Sequence, residues 1–226
     1  MSLLANGDHP ESRPTGNASP TIHRRSLAWA AGAILFGGVF GFPLRSGAVE
    51  NASGPEQAVQ TLNAGLTRVM QAGATTPFNQ RYQMLAPVVD QTFDLSAVLI
   101  GSVGPRWSTL SEDDHAQLMD VFRRYTVASF VANFDKYKGA PVVSSGRTLP
   151  NGEATVDSKM GNTDISFVLR TSGAGWRVVD VLANGTISRV AVQRSDFREL
   201  LQQGGGQALV SSLQRKVNQL SGGTLV

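Results

Sequence analysis

The first half of the chain carries apolar residues at the spacing of α-helices. From residues 54 to about 72 they recur every three or four positions and form one stripe. A second helical region runs from residues 79 to about 101, and Pro87 is expected to kink or divide it. A third is predicted from residues 111 to about 138, because a serine that can cap a helix is followed by acids that suit the helix dipole.

Beyond residue 140 the apolar pattern changes to a period of about two, which is typical of strands. Four strands are predicted, joined by short turns: 141–149, 153–160, 163–171 and 176–182. Short turns between successive strands indicate antiparallel neighbours. Helical spacing returns from about Ser195, and Gly204–Gly206 is expected to interrupt it before a last amphipathic helix at 207–220.

The order of helices, then strands, then helices predicts an α+β fold. We expect a curved antiparallel sheet of about four strands, with helices packed over one face, enclosing an apolar pocket. Residues 49–226 are sufficient for one domain with its own hydrophobic core.

The first 48 residues have the pattern of a secretory signal. A polar stretch ends at Arg24-Arg25, the apolar run Leu27–Phe42 follows, and Ser46-Gly47-Ala48 supplies small residues at a cleavage point. The twin arginine favours the twin-arginine route. The apolar run has 16 residues, fewer than the ~20 that a membrane span needs, which favours a cleaved signal over an uncleaved anchor. On either interpretation the rest of the chain is expected outside the cytoplasm.

Charge and cysteine content exclude several classes of function. The chain has 20 Lys and Arg and 17 Asp and Glu residues, and its pI is about 9.6. Four of the former and two of the latter lie in residues 1–48, so 16 and 15 remain and the net charge falls to +1. The remaining charges are interleaved, without the basic stripe that nucleic-acid binding needs. Because the chain has no cysteine, thiol catalysis and cysteine metal sites are excluded.

Few residues suggest catalysis or metal binding. His115 is the only histidine beyond residue 48, and no nucleophile motif accompanies it, so we expect an exposed surface histidine. The acids at 112–114 suit a helix start and lack the spacing of a calcium loop. We therefore predict no enzymatic activity, no metal and no cofactor. Four cations on or beside the third helix could meet anionic headgroups or an acidic partner, although a solvated helix face is favoured: Arg123, Arg124, Lys136 and Lys138.

Asp180 is predicted to lie in a strand of apolar residues, where a buried carboxylate needs polar partners. Arg189, Arg194 or backbone N–H groups could supply them. We favour a structural tie over contact with a ligand.

The C-terminal part of the chain resembles a known family. The motif consists of a tryptophan, an aspartate four positions later, and four further residues: Trp176, Asp180, Gly185, Ser188, Arg194 and Phe197. It resembles the MlaC, or toluene-tolerance, family of periplasmic phospholipid-binding proteins. The run GTISRVAVQRSDF, with serine three rather than two residues after the glycine, is most similar to the hopanoid-biosynthesis-associated HpnM branch. The predicted helices and the loop that precede this motif also follow the order found in the family. The resemblance therefore covers about residues 55–220.

This resemblance implies a periplasmic carrier, with residues 49–226 as one lipid-binding domain. The family holds acyl chains between helices and a curved sheet and moves lipid between the outer and inner membranes. The cargo would be a phospholipid or a hopanoid. The implied partners are an inner-membrane lipid transporter complex and an outer-membrane lipoprotein complex. The transporter would be an ABC transporter to which the carrier is auxiliary or, for the HpnM-like branch, one of the resistance-nodulation-division type.

Apolar residues of the predicted helices and sheet are the candidates for lipid contact, although core packing gives the same pattern. They are Val98, Leu99, Phe122, Tyr125, Phe130, Phe134, Val156, Ile165, Phe167, Leu169, Val179 and Val181. The alternative hypothesis is an adaptor that stabilises an inner-membrane lipid transporter by protein contact and has a filled core.

Overall fold

Among the residues that the structure describes, helices precede and follow one sheet. A computed structural model describes residues 54–137, 139–173 and 175–225. The predicted signal, residues 1–48, therefore lies outside the described residues. The α-helices are α1 (Pro55–Ala72), α2 (Phe78–Thr92), α3 (Leu95–Val103), α4 (Glu112–Asn133) and α5 (Arg189–Ser221). A short 3₁₀ helix, Gly104–Thr109, joins α3 to α4.

The predicted second helical region is divided, but not at its proline. Pro87 lies inside α2, and the break falls at Phe93 and Asp94. Phe93 adopts an extended backbone and bridges Val178 of the sheet, while the Asp94 N–H donates to the Val178 carbonyl at 3.0 Å. The Asp94 carboxylate then caps α3 by accepting from the Ala97 N–H at 2.9 Å. The division thus lets the chain contact the sheet between two helices.

The start of α4 is fixed by its sequence. Ser111 accepts from the Asp114 N–H at 3.1 Å and the Asp114 carboxylate accepts from the Ser111 N–H at 3.4 Å, which forms a capping box. The Gln207 amide of α5 also donates to Asp114, at 2.8 Å. These hydrogen bonds, from Gln207 first and then Ser111, lower the pKa of Asp114. The cap therefore joins α4 to the second half of α5.

The sheet is an antiparallel meander in sequence order, as predicted. Its strands are β1 (Val142–Thr148), β2 (Ala154–Met160), β3 (Thr163–Ser172), β4 (Gly175–Ala183) and β5 (Ile187–Ser188). The fifth strand, only two residues long, adds to the four expected. The predicted α+β fold, with a curved antiparallel sheet and helices, is confirmed.

A bulge in β4 changes which valines face the core. Val168 pairs with Asp180 and Leu169 pairs with Val178, so Val179 is an extra residue without a cross-strand partner. Val178 is fully buried, whereas Val179 is only partly buried. Strict alternation fails at this bulge, so the period of two in the sequence does not fix the face of Val179, and its contact with lipid stays a prediction.

The last helix contains the break expected at its glycines. Gly204 and Gly205 leave helical geometry, and Gly205 has φ +63°, a conformation that only glycine adopts readily. None of the helices among the described residues combines the length and hydropathy needed to span a membrane.

Candidate functional site

A cavity of about 440 Å³ lies between the helices and the inner face of the sheet. Its volume is in the range of small-molecule and cofactor pockets, ~300–1,000 Å³. The apolar residues that line it are Leu66, Phe93, Leu95, Val98, Phe122, Phe130, Phe134, Pro141, Met160, Ile165, Phe167, Val181 and Val190. Such a surface suits a hydrocarbon ligand rather than a polar one.

Helix α4 supplies one long wall of the cavity. Its lining residues recur at intervals of three and four and so share one helix face: Phe122, Tyr125, Thr126, Ser129, Phe130, Asn133 and Phe134. The Phe130 ring lies 5.6 Å from the ring of Phe93 and 6.1 Å from that of Phe134, centroid to centroid. These aromatic rings make much of the wall apolar.

The sheet supplies the opposite wall. Ile165 and Phe167 alternate along β3, and Phe167 pairs with Val181 of β4. Ile165 pairs with Ser158 of β2. Ser158 accepts a hydrogen bond of 3.0 Å from the Asn63 amide of α1, and both side chains are buried at the cavity wall. This pair satisfies two buried polar groups and ties α1 to the sheet.

Eight of the twelve predicted lipid-contact residues line the cavity: Val98, Phe122, Tyr125, Phe130, Phe134, Ile165, Phe167 and Val181. Their contact with lipid stays a prediction. The other four lie elsewhere. Leu99, Val156 and Leu169 are fully buried in the packed core, and Val179 is the extra residue of the β4 bulge. Helical and strand periodicity placed all of them on inward faces, but it does not distinguish a packed core from a cavity wall.

One part of the cavity is polar. It consists of Asp180 on β4 together with Arg189 and Gln193 on the first turns of α5. The Asp180 carboxylate accepts hydrogen bonds from the N–H of Val190 at 3.1 Å, from the N–H of Val181 at 2.7 Å and from the Ser188 hydroxyl. These bonds fix the start of α5 against the sheet.

The predicted structural tie of Asp180 is thus made by backbone N–H groups and a hydroxyl. Neither arginine considered as a partner forms an ion pair with it among the described residues. Arg194 instead donates to the Gly101 carbonyl at 2.8 Å, which joins α5 to α3. In the sequence Arg189 is identifiable only as a possible partner of Asp180, and no pattern there indicates its place on the cavity wall.

The other candidates for chemistry lie outside the cavity. The His115 ring stacks on Trp107 with centroids 4.0 Å apart, and its Nε2 lies 2.9 Å from the Trp107 carbonyl. The expectation of an exposed histidine is wrong, because the side chain is only 21% exposed. Within the described residues, no group of three His, Asp or Glu side chains is arranged to hold a metal ion.

Both arginines of α4 form ion pairs with acidic side chains. Arg123 forms a two-pronged ion pair with Asp90, and Arg124 pairs with Asp120. The Asp90 carboxylate, through its hydrogen bonds, raises the pKa of Arg123. Lys138 lies outside the described residues. The two arginines are thus already neutralised by acids on the protein itself.

Comparisons with known proteins agree with this architecture. The family model described as MlaC protein matches residues 60–215. A phospholipid-binding protein from Ralstonia solanacearum, solved in complex with a phospholipid, has a similar structure with a TM-score of 0.60. It is 16% identical, and the match covers 74% of this chain and 96% of that one. A search of curated proteins gives no match. Because the family model covers more than half of the sequence, this chain belongs to the MlaC family.

Proposed function

We propose that this protein is a lipid carrier of the periplasm, which moves phospholipid or hopanoid between the outer and inner membranes. The observation that carries this proposal is the apolar cavity between α4 and the sheet, in a chain of the MlaC family. The Ralstonia protein of similar fold was solved with a phospholipid bound, which supports a phospholipid as one class of cargo. We propose no catalytic activity.

The physical requirement for such a carrier is shielding of hydrocarbon from water. Each buried methylene contributes ~0.8 kcal/mol, so a lipid with long chains does not leave a membrane for water at a useful rate. A wall of Phe122, Phe130 and Phe134 facing Ile165 and Phe167 can replace the membrane interior around those chains. The part of the cavity that reaches the exposed residues Asn133 and Arg189 leaves a path for the polar group.

Export and partners belong to the same proposal. Residues 1–48 would direct the chain to the periplasm, where an inner-membrane lipid transporter and an outer-membrane lipoprotein complex would exchange lipid with it. The sequence run 185–197 supports the HpnM branch, for which a hopanoid is the expected cargo. Cell fractionation would test the location: recovery of the protein in the cytoplasm would contradict it.

The first experiment is mass spectrometry of lipids extracted from the protein purified from its native host. A phospholipid or hopanoid in stoichiometric amount is expected, and its mass identifies the cargo. A protein that is lipid-free, and stays so after incubation with labelled phospholipid vesicles, would favour the adaptor hypothesis instead.

A further inference from the structure

Among the residues that the structure describes, two with charged side chains line the cavity, Asp180 and Arg189. They differ in how much of their hydrogen-bonding capacity is already used. The Asp180 carboxylate accepts from three donors: the N–H groups of Val181 and Val190 and the Ser188 hydroxyl. With three donors already bound to it, this carboxylate has little hydrogen-bonding capacity left for a ligand.

Arg189 is the opposite case. Its side chain is exposed to solvent and also lines the cavity. It makes no hydrogen bond or ion pair with any residue in the described part of the chain. A guanidinium has five N–H donors in a planar fork that fits phosphate and carboxylate groups. The other described residues that line the cavity are uncharged, and most of them are apolar. An apolar cavity with an unpaired cation on its wall is complementary to an amphiphile that carries a negative charge.

The backbone at Arg189 is held in place by the residues beside it. Ser188 caps α5 by accepting from the Ala191 N–H at 2.9 Å, and Val190 is bonded to Asp180. Arg189 is therefore the first residue of a helix whose N-terminal end is anchored to the sheet. The positive end of that helix dipole adds to the charge of the guanidinium. Gln193, one turn further, also lines the cavity, and its side-chain amide lies 2.9 Å from the Ser102 hydroxyl of α3.

We infer that Arg189 is a specificity-determining residue, which binds the phosphate or carboxylate of an amphiphile whose hydrocarbon chains fill the cavity. This inference rests on the proposed lipid-carrier function and deepens it, because it selects anionic lipids over uncharged ones. A neutral polycyclic lipid such as an unmodified hopanoid would gain nothing from the guanidinium. Asp180 and Ser188 are positioning residues in this arrangement, since they act on the start of α5.

The test uses two lipids that differ only in the anionic group: phosphatidic acid and diacylglycerol, each with the same two acyl chains. Lipid-stripped protein is incubated with an equimolar mixture in detergent, and bound lipid is measured by native mass spectrometry. The wild type should take up phosphatidic acid in preference. Arg189→Gln should lower that preference about threefold to tenfold, the range expected for one partly exposed charge-assisted contact. Uptake of diacylglycerol should not change.

Matched variants separate the possible explanations. Arg198→Gln removes the same charge from an exposed position of the same helix, outside the cavity, and should keep the wild-type preference. Arg189→Lys should retain most of it, because the charge remains. An unchanged preference in Arg189→Gln, or the same loss in Arg198→Gln, would overturn the inference while leaving the carrier function intact. A wild type that binds neither lipid would instead overturn the proposed function.

Inorganic phosphate distinguishes a lipid headgroup from a free anion. We expect millimolar phosphate to compete only weakly with phosphatidic acid, because it lacks the chains that fill the cavity. Complete displacement by phosphate at such concentrations would mean that Arg189 serves a free anion, which would contradict the inference.

Discussion

The inner face of the sheet is filled at one end and hollow at the other. On β3, Leu169 is fully buried in the core, whereas Ile165, on the same face and four residues earlier, lines the cavity. The neighbouring strand shows the same change: Ala154 pairs with Leu169 at the filled end, and Ser158 pairs with Ile165 at the hollow end. One sheet thus carries a closed core that supplies stability and an open stretch that is available to a ligand.

The two ends differ in what the helices bring to them. At the hollow end, α4 presents aromatic rings and small polar residues, such as Ser129, across a gap. At the filled end the side chains pack without such a gap, and a void there would lose dispersion contacts with no ligand to replace them. We infer that stability depends mainly on the filled end and that lipid capacity depends on the hollow one.

The largest effect should come from truncating the filled end. Leu169→Ala removes a fully buried side chain, and we expect the free energy of unfolding to fall by about 2–5 kcal/mol. Ile165→Ala is the matched change on the same strand face. It should cost less than about 2 kcal/mol, because part of its surface already faces the cavity. Urea denaturation measures both. Equal losses would mean that the hollow end is closed in solution.

Filling the cavity should have the opposite result: a large loss of bound lipid and a small change in the free energy of unfolding. Ser129→Trp places an indole in the space beside Phe130. Exclusion of only two methylenes of a ligand would lower its affinity about 15-fold. Ser195→Trp makes the same change at an exposed position of α5 and serves as the control. Lipid content after incubation with labelled vesicles measures the effect. Equal lipid content in the two variants would place the lipid elsewhere.

A close contact between α1 and α2 tests how tightly these two helices are packed. Gly65 of α1 lies so near α2 that an added Cβ would be 2.8 Å from Val88 Cγ1. Alanine is the better helix former by ~1 kcal/mol, but overpacking costs about 1–3 kcal/mol, and the β-branched Val88 side chain has little freedom to move. We expect Gly65→Ala to lower the free energy of unfolding by about 1 kcal/mol.

The second substitution needed for this test is Val88→Ala. It removes the methyl groups that the new Cβ would meet, so the double variant should lose less stability than the sum of the single changes. Chemical denaturation of all four proteins gives the coupling energy. Simple additivity would show that α1 and α2 are not in close contact at this point.

Sequence periodicity predicted most of the elements because each one buries a single face. It could not predict the departures from regularity, which depend on tertiary contacts. Phe93 leaves the helix to bridge Val178, and the Val179 bulge shifts the register of β4 by one residue. The same periodicity predicts that Leu169 and Ile165 both face inward. It does not show whether a packed helix or a cavity lies opposite each side chain. Arg189 was noticed for its charge, but its place on the cavity wall depends on how α5 is anchored.

The smallest expected effect concerns a contact remote from the cavity, between Asp114 of α4 and Gln207 of α5. Because hydrogen bonds from Gln207 and Ser111 lower the pKa of Asp114 in the folded protein, its charged form stabilises the fold at neutral pH. That contribution is lost as the pH falls below the ordinary carboxyl value of about 3.9. Asp114→Asn should therefore cost about 0.3–1 kcal/mol at pH 6, and the difference from wild type should shrink near pH 3. Denaturation at the two pH values measures it. Lipid content of this variant should stay at the wild-type level, because Asp114 does not line the cavity; a parallel loss of lipid would mean that the contact between α4 and α5 is coupled to the cavity.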